Sequence, residues 1–385
     1  MIILPLILIL FTCLIIWRAC DGYEAASEYI GRNLNEGVRG ATINAIGSSV
    51  PELFTTLFFL FVLFDKDGFS GGIGTTAGSA VFNGMIIPAL VILVVVLAGV
   101  VNGVTISRKV LLRDGIALLL CELVLILIIG GDKLTWVHGT ILMALYGIYV
   151  TYMLTSMTRN VDGDDEAADE EDEDDDEDGS GNWLINLLTL NLEPVFVKGD
   201  INGKSAWTLL LVALVIIAAA CFLLVKSCEW LGEGLGLPIY FIAVILASAA
   251  TSVPDTILSM KDAKAGNYDD AVANALGSNI FDVCFALGLP LFLFTIIYGS
   301  IQMSPAAVDN ISELRILLFV LTFLAFLIFI IPKKLGIKSA ILLFSLYVIF
   351  TVYIIGRAYG WEWAEPIGME LRGVDDWLDI LRPWK

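Results

Sequence analysis

The sequence contains little charge outside one segment and almost no histidine. Of its 385 residues, 58% are hydrophobic and only 16% are Asp, Glu, Lys or Arg, and the mean hydropathy is +0.84. This composition excludes a soluble globular chain. His138 is the only histidine, so a catalytic site or a proton relay that depends on histidine has little to work with.

Cysteines at metal-binding spacing are absent as well. The six cysteines lie in or at the ends of apolar runs, and none belongs to a Cys-x-x-Cys pair. We interpret them as small core residues, which argues against a disulfide framework or a metal cage. The first apolar run has no basic residue before it, and Arg18 follows it. This polarity is opposite to that of a secretory signal peptide and predicts a retained first helix with its N-terminus outside.

Long apolar runs dominate what remains. Ten runs of about 20 residues are each long enough to cross a bilayer as a helix. They lie near residues 2–18, 40–64, 73–100, 109–130, 136–157, 206–229, 238–260, 271–298, 313–332 and 338–356. We therefore predict an all-α polytopic membrane protein with ten transmembrane helices.

The basic residues between these runs predict the orientation of the chain. Segments that follow odd-numbered runs carry fourteen Lys and Arg residues, whereas the opposite segments and the C-terminal tail carry eight, with Arg315 counted among the eight. Because Lys and Arg are enriched on the cytoplasmic side, both termini are predicted to lie outside. We expect the chain to be integral to the plasma membrane, with the segment between the fifth and sixth runs in the cytoplasm.

That cytoplasmic segment, residues 158–205, carries most of the net charge of −19, since residues 162–178 include fourteen acids. Mutual repulsion and the lack of apolar side chains predict a solvated linker. Weak attraction of calcium to the cytoplasmic mouth is the alternative. An EF-hand is rejected because Ile185 stands where the bidentate Glu is needed. Residues 182–197 have few charges and are predicted to form a short interfacial helix.

The acidic loop divides the predicted membrane body into two halves of five helices, residues 1–157 and 206–356. A C-terminal tail, residues 357–385, follows, and its tryptophans are expected at the outer headgroup level. One pattern occurs in both halves, at about residues 40–100 and 238–298. The second helix of the chain runs outward and the seventh runs inward, so the two copies are predicted to be inverted repeats, as in many secondary transporters.

Each copy of the pattern has two parts. The first part reads Gly-Ser-Ser-Val-Pro-Glu at residues 47–52 and Ala-Thr-Ser-Val-Pro-Asp at residues 250–255. The second part reads Gly-Ser-Ala-Val-Phe-Asn at residues 78–83 and Gly-Ser-Asn-Ile-Phe-Asp at residues 277–282. In both copies an acid directly follows a proline, and a serine precedes a polar side chain by four residues, on the same helix face.

Together these residues predict a cation site. Proline frees helix carbonyls that need partners in hydrocarbon, and a bound cation supplies one. The predicted ligands are Glu52, Asp255, Asp282, Asn83, Ser48, Ser49, Ser79, Thr251, Ser252 and Ser278. All are oxygen donors, which suits calcium and sodium better than zinc or copper. The three acids bring about −3 into a low-dielectric interior. One calcium with a monovalent cation, or three sodium ions, would balance that charge, which is the logic of an antiporter.

At these residues the sequence resembles the calcium/cation antiporter superfamily, the sodium/calcium exchangers. The resemblance covers both repeats and the ten-helix layout, and the residues of the motifs are most similar to those of the potassium-dependent branch. It implies that Glu52 and Asp255 are the central calcium ligands, that the other eight residues complete the sites, and that Asp282 goes with potassium co-transport. The central loop is too short for the regulatory domains of the large animal exchangers. Proton/calcium exchangers carry Gly-Asn-Ala-x-Glu in their repeats, where this chain has Ser-Val-Pro-Glu.

Several alternatives stay open at this stage. Proton/calcium exchange is the nearest rival to sodium/calcium exchange. An intramembrane aspartyl protease, with Asp255 and Asp282 as its dyad, is a distant one, because it leaves Glu52 and the first repeat unexplained. Each acid could also pair with a Lys or Arg and serve packing alone. We expect no enzyme activity and no cofactor. The expected partners are inorganic cations and the lipid bilayer, with no nucleic acid and no obligate protein partner.

Overall fold

The computed structural model describes residues 2–30, 32, 45–64, 69–158, 183–197 and 201–378. The described residues of the first half form six helices and a short strand: α1 (Ile3–Ile30), α2 (Ala45–Ser48), α3 (Val50–Phe61), α4 (Ser70–Leu97), α5 (Arg108–Ile128), β1 (Lys133–Leu134) and α6 (Trp136–Thr158). The predicted acidic run at 162–178 lies outside the described residues.

The second half begins with α7 (Trp183–Leu188) and α8 (Glu193–Phe196) and continues with α9 (Gly203–Leu235), α10 (Ile239–Ala265), α11 (Tyr268–Tyr298), β2 (Ile301–Gln302), α12 (Pro305–Ile330), α13 (Ile337–Ala358) and α14 (Ala364–Leu378). A π-helical turn interrupts α10 at Ala243–Ala247, and another interrupts α11 at Asp282–Ala286. Such turns are frequent at functional sites.

Apolar membrane-spanning helices are confirmed as the main elements. Among the described residues, eight helices are long and apolar enough to cross a bilayer, namely α1, α4, α6, α9, α10, α11, α12 and α13. Helix α5 has 21 residues, of which five are charged. Helix α3 is apolar but has only 12 residues. The count of ten spans therefore stays a prediction.

The ends of two helices differ from the sequence-based expectation. The first run was expected near 2–18, whereas α1 continues through polar residues to Ile30. Helix α12 begins at Pro305, eight residues before the predicted run, because Ser304 caps it by accepting a hydrogen bond from the amide of Ala307 at 3.2 Å. The predicted interfacial helix is present as two short helices, α7 and α8, with Leu190 at a positive φ of 56° between them.

The assignment of Arg315 to an outer loop is wrong, because this residue lies inside α12. Its side chain is 1% exposed. One guanidinium nitrogen donates to the carbonyl of Ile126 at 2.6 Å and another to Asp375 at 3.1 Å. The predicted apolar run begins at residue 313 and therefore misses the start of α12. The first turns of this helix are polar, and Glu313 and Arg315 are neutralised by residues distant in sequence.

Ion pairs connect the C-terminal helix α14 to α12 and α13. Glu313 of α12 accepts hydrogen bonds at 2.8 Å from Arg357 and from the hydroxyl of Tyr353, and Arg372 of α14 also pairs with it. On the exposed side, Arg372 and Arg357 hold the pKa of Glu365 below its ordinary value through hydrogen bonds. Buried carboxylates in this part of the chain are thus neutralised by arginine.

Helix α4 lies at the centre of the membrane body and packs against α3, α10, α11, α12 and α13. A glycine makes the closest of these approaches possible. A Cβ atom on Gly78 would lie 2.2 Å from the carbonyl oxygen of Val244 and 2.9 Å from the side chain of Ser248, both on α10. The backbones of α4 and α10 therefore meet directly at this level.

We expect Gly78→Ala to force α4 and α10 apart and to lower stability by about 1–3 kcal/mol, as overpacking in a core does. The measurement is the Tm of the purified protein in detergent. Gly84→Ala, on the same helix, is the matched control because the nearest atom to its added Cβ would be 3.6 Å away. An equal Tm for the two variants would contradict direct backbone contact at Gly78.

Candidate cation-binding site

The two Ser-Val-Pro motifs form two matching helix breaks. Ser49 separates α2 from α3 with φ −98° and ψ 5°, and Ser252 interrupts α10 with φ −80° and ψ 2°. The proline follows in the first turn of the restarted helix, where its missing N–H removes no intrahelical bond. Glu52 and Asp255 therefore lie in the first turn of a new helix, whose positive end favours a carboxylate.

The second part of each motif supplies the facing surface. Ser79 and Asn83 lie one turn apart on α4, and Ser278 and Asp282 lie one turn apart on α11. Asp282 is the first residue of the π-helical turn of α11. The four segments predicted from the repeats thus surround one region in the interior.

Hydrogen bonds connect the four segments. Ser79 donates to Glu52 Oε1 at 3.0 Å, and its Oγ lies 2.7 Å from the Oγ of Ser252. The bonds therefore join α3, α4 and α10 through three side chains.

Asp255 is held in a similar way by side chains from both halves. Ser278 donates to its Oδ1 at 2.8 Å, and Asn83 donates to its Oδ2 at 3.1 Å. The Oγ of Ser278 lies 3.5 Å from the Oγ of Ser48. The hydroxyl of Thr251 instead bonds within α10, to the carbonyls of Ala247 and Ser248, both at 3.1 Å.

All ten predicted residues are buried, and nine of them have no exposed surface, while Ser48 is 6% exposed. The three carboxylates Glu52, Asp255 and Asp282 are close enough to repel one another. Within the described part of the chain, none of them forms an ion pair with Lys, Arg or His. The purely structural alternative, in which each acid pairs with a basic residue, therefore has no support among the described residues.

Several of these buried oxygens have no hydrogen-bond partner among the described residues. They are Ser49 Oγ, Glu52 Oε2, Asn83 Oδ1 and both carboxylate oxygens of Asp282. The described residues contain no group of three His, Cys, Asp or Glu side chains that could hold a metal ion unaided. An ion bound here would therefore need hydroxyl, amide or backbone oxygens as well, which is the ligand set of hard cations.

The two halves differ in the charge of one matched pair of predicted ligands, Asn83 in the first half and Asp282 in the second. Asn83 donates to the acid of the other half, Asp255. Its counterpart is Asp282, and an ionised carboxylate has no hydrogen to donate to Glu52. One oxygen of Glu52 and both oxygens of Asp282 consequently lack partners among the described residues. Leaving such groups buried is costly unless a ligand satisfies them.

Sequence reasoning missed two buried polar residues near this region. Asn279 donates from Nδ2 to the carbonyl of Ala80 on α4 at 2.9 Å. It lies inside the quoted motif, and its counterpart in the first copy is Ala80, which was a usable signal. Glu122 of α5 is fully buried and accepts a hydrogen bond from Thr322 at 2.7 Å. Glu122 belongs to neither copy of the repeated motif. Its position as an acid within an apolar run was the one signal in the sequence that it is buried.

Comparison with known proteins identifies the family of the chain. The family described as sodium/calcium exchanger protein matches residues 3–155 and 205–356. The chain is 27% identical to the human (Homo sapiens) sodium/potassium/calcium exchanger 5 over 384 aligned positions, which cover 80% of this chain and 73% of that protein. The similarity to the potassium-dependent branch of the superfamily is thereby confirmed.

Two solved structures share the fold. A structure of the sodium-calcium exchanger NCX_Mj superimposes with a TM-score of 0.55 at 22% identity, covering 91% of this chain and 98% of that one. The structure of the H+/Ca2+ exchanger CAX superimposes with a TM-score of 0.62 at 15% identity, covering 98% of this chain and 92% of that one. With the family match over most of its length, the chain belongs to the sodium/calcium exchanger family and is an integral membrane transporter of cations, not an enzyme.

Proposed function

We propose that this protein exchanges sodium for calcium across the membrane by alternating access, with Glu52, Asp255 and Asp282 at the centre of one ion site. The observation that carries the proposal is the group of buried oxygens around Asp282 and Glu52 that have no hydrogen-bond partner among the described residues. Three acids in one dry region have no basic residue paired with them in the described part of the chain. A cation that arrives from outside is the partner that this arrangement lacks.

The ligand set supports a division of roles within the site. Glu52 and Asp255 lie in matching first turns of restarted helices and supply two negative charges, which balance calcium. Asp282 supplies the third charge beside the hydroxyls of Ser79 and Ser49, where a monovalent cation fits. Three sodium ions would balance the same charge. The site can then carry either load but not both, and this couples the two fluxes.

We further propose ten spans in two inverted halves, with α5 and the broken pair α2–α3 added to the eight apolar helices. The pairing of the connecting segments supports this. Strand β1 follows α5 and pairs antiparallel with β2, which follows α11. Val104, after α4, pairs with Leu335, after α12, through two bonds of 2.8 Å. If α5 corresponds to α12 and α4 corresponds to α11 in the two halves, each pairing joins the same two segments with the halves exchanged.

In this arrangement both termini lie outside and residues 158–205 lie in the cytoplasm, as the distribution of basic residues predicts. The plasma membrane is the proposed location. Inorganic cations are the proposed substrates, and calcium and sodium are cargo and not resident cofactors.

The choice of coupling ion is tested with purified protein in liposomes. We expect an outward sodium gradient to drive calcium uptake, because the three-acid site is neutral with three sodium ions or with calcium and one monovalent cation. The measurement is radioactive calcium uptake under a sodium gradient and, separately, under a pH gradient with choline replacing sodium. Uptake driven by the pH gradient alone would assign the chain to proton/calcium exchange instead.

Glu52→Gln and Asp255→Asn should each abolish exchange and lower calcium binding by at least tenfold, because each removes one of the two charges that balance calcium. Glu122→Gln is the matched control, since Glu122 is an equally buried acid outside the site. Calcium binding is measured by equilibrium dialysis, and size-exclusion profiles establish that the variants fold. Wild-type calcium binding in both site variants would overturn the site assignment.

Asp282→Asn tests the role of the third acid. We expect potassium to stimulate calcium uptake in the wild type, and we expect the variant to lose this stimulation while it keeps sodium-driven exchange. The substituted amide can donate to Glu52 as Asn83 does to Asp255, so the place for a monovalent cation is lost. Rates are compared in potassium-containing and potassium-free vesicles, with choline as the replacement ion. Equal wild-type rates in the two conditions would leave a sodium/calcium exchanger without potassium co-transport.

A further inference from the structure

A narrow cavity adjoins the ion site at the C-terminal part of α1. Its walls come from α1, α2 and the second half of α10, and its volume is about 20 Å³. Gly47 and Ser48 form part of the wall. Ser48 is the one predicted ligand with any exposed surface, at 6%, whereas the other nine have none. The cavity therefore touches the site where the site is least enclosed.

The wall between the cavity and the acids is thin. Pro254 lines the cavity, and the next residue in the chain is Asp255. Cys20 of α1 also lines it and lies within electrostatic range of both Glu52 and Asp255. Gly47 admits the ring of Tyr23 from α1, because a Cβ atom there would lie 2.7 Å from that ring. About one layer of side chains therefore separates the carboxylates from the cavity.

Charged side chains lie along the same cavity. Asp21 and Glu24 of α1 and Lys261 of α10 are part of its lining. Lys261 Nζ lies 3.4 Å from Asp21 Oδ1, so this ion pair joins α1 to α10, and Asp21 also lies 3.9 Å from Arg18. The side chains of Lys261 and Asp21 are 58% and 34% exposed. A pair this exposed to solvent is weak and can open and close readily.

The size of the cavity limits what can pass. A space of about 20 Å³ accommodates about one water molecule. A hydrated calcium or sodium ion is larger, so passage requires α1 and α10 to separate at this level. Such a separation breaks the contact between Lys261 and Asp21, which removes one of the two positive charges beside this carboxylate and makes the route more attractive to an entering cation.

We propose that this cavity is an access route to the ion site and that the Asp21–Lys261 pair is its gate. The proposal rests on the proposed function, because the exchanged cation is the ion that uses the route. In the predicted orientation the route opens to the cytoplasm. Lys261 occupies Asp21 when the route is closed, and Asp21 and Glu24 present negative charge when it is open.

The route is tested by thiol labelling of purified protein with a cationic methanethiosulfonate reagent, without any transport assay. Leu258→Cys places a thiol in the cavity lining, whereas Met260→Cys places one on the same helix outside that lining. Both native side chains are half-buried. Peptide mass spectrometry measures the label at each position, and we expect position 258 to react at least five times faster. Equal rates at the two positions would overturn the route.

The gate is tested in the Leu258→Cys protein. Lys261→Gln and Asp21→Asn should each raise the labelling rate at least threefold, because each breaks the ion pair. The charge exchange of Asp21→Lys with Lys261→Asp should return the rate to its original value. Lys264→Gln is the matched control, since Lys264 is exposed on the same helix and does not line the cavity. A rate unchanged by Lys261→Gln would overturn the gate.

These results are separate from those that test the proposed function. Rapid labelling at position 258 in a protein that does not exchange sodium for calcium would contradict the proposed function and support the route. Sodium-driven calcium exchange in a protein with no selective labelling at position 258 would contradict the route and support the proposed function.

Discussion

The structure depends on three buried carboxylates that form no ion pair with Lys, Arg or His within the described residues. Removing a carboxylate from water costs several kcal/mol even after the protein relaxes. Serine and asparagine side chains orient two of these acids, Glu52 and Asp255, through hydrogen bonds of 2.8–3.1 Å. Those bonds fix the geometry but do not remove the charge. On the proposed function, a bound cation would lower the energy of the site, and that difference between loaded and empty states is what an exchanger needs.

Arginine side chains neutralise three other buried acids, whereas the buried Glu122 accepts a hydrogen bond from Thr322. Asp375 pairs with Arg315 at 3.1 Å, Glu313 with Arg357 at 2.8 Å, and Asp114 with Arg113 at 2.7 Å. Removing one partner of such a pair leaves the other charge uncompensated. The first two pairs join α12 to α14 and to α13, and none of the three pairs needs an ion from outside. Within the described residues, the acids of the repeats lack that kind of partner, and this contrast is better evidence for ion binding than burial alone.

Much of the candidate site could be predicted from the sequence because its motif occurs in both halves of the chain. The repeated proline-acid pair and the serine four residues before a polar side chain place ten residues on four segments, and the structure brings those segments together. The contacts across halves, such as Ser79 with Ser252 at 2.7 Å, could not be predicted. They depend on how closely α4 approaches α10, which Gly78 permits and which no local pattern records.

Failures in the sequence-based prediction of the fold have a similar cause. Arg315 was assigned to a loop because a charged residue at the edge of an apolar run usually belongs to the adjoining loop. Its partner Asp375 is 60 residues away in the chain, so the neutralisation is invisible to a window of 20 residues. The continuation of α1 beyond residue 18 was missed for a related reason, since polar residues such as Asp21 and Glu24 line a cavity there.

The difference between Asn83 and Asp282 has consequences for the balance of charge. If both positions held asparagine, each central acid could receive a bond from the opposite half, and the site would carry two negative charges. With aspartate at 282 the site carries three, and the bond that would correspond to the one from Asn83 to Asp255 cannot form while Asp282 is ionised. On the proposed function, a divalent ion alone then leaves one charge uncompensated. The proposed monovalent companion for calcium would balance that remaining charge, and the difference between the halves that calls for it is one amide group in Asn83 against one carboxylate oxygen in Asp282.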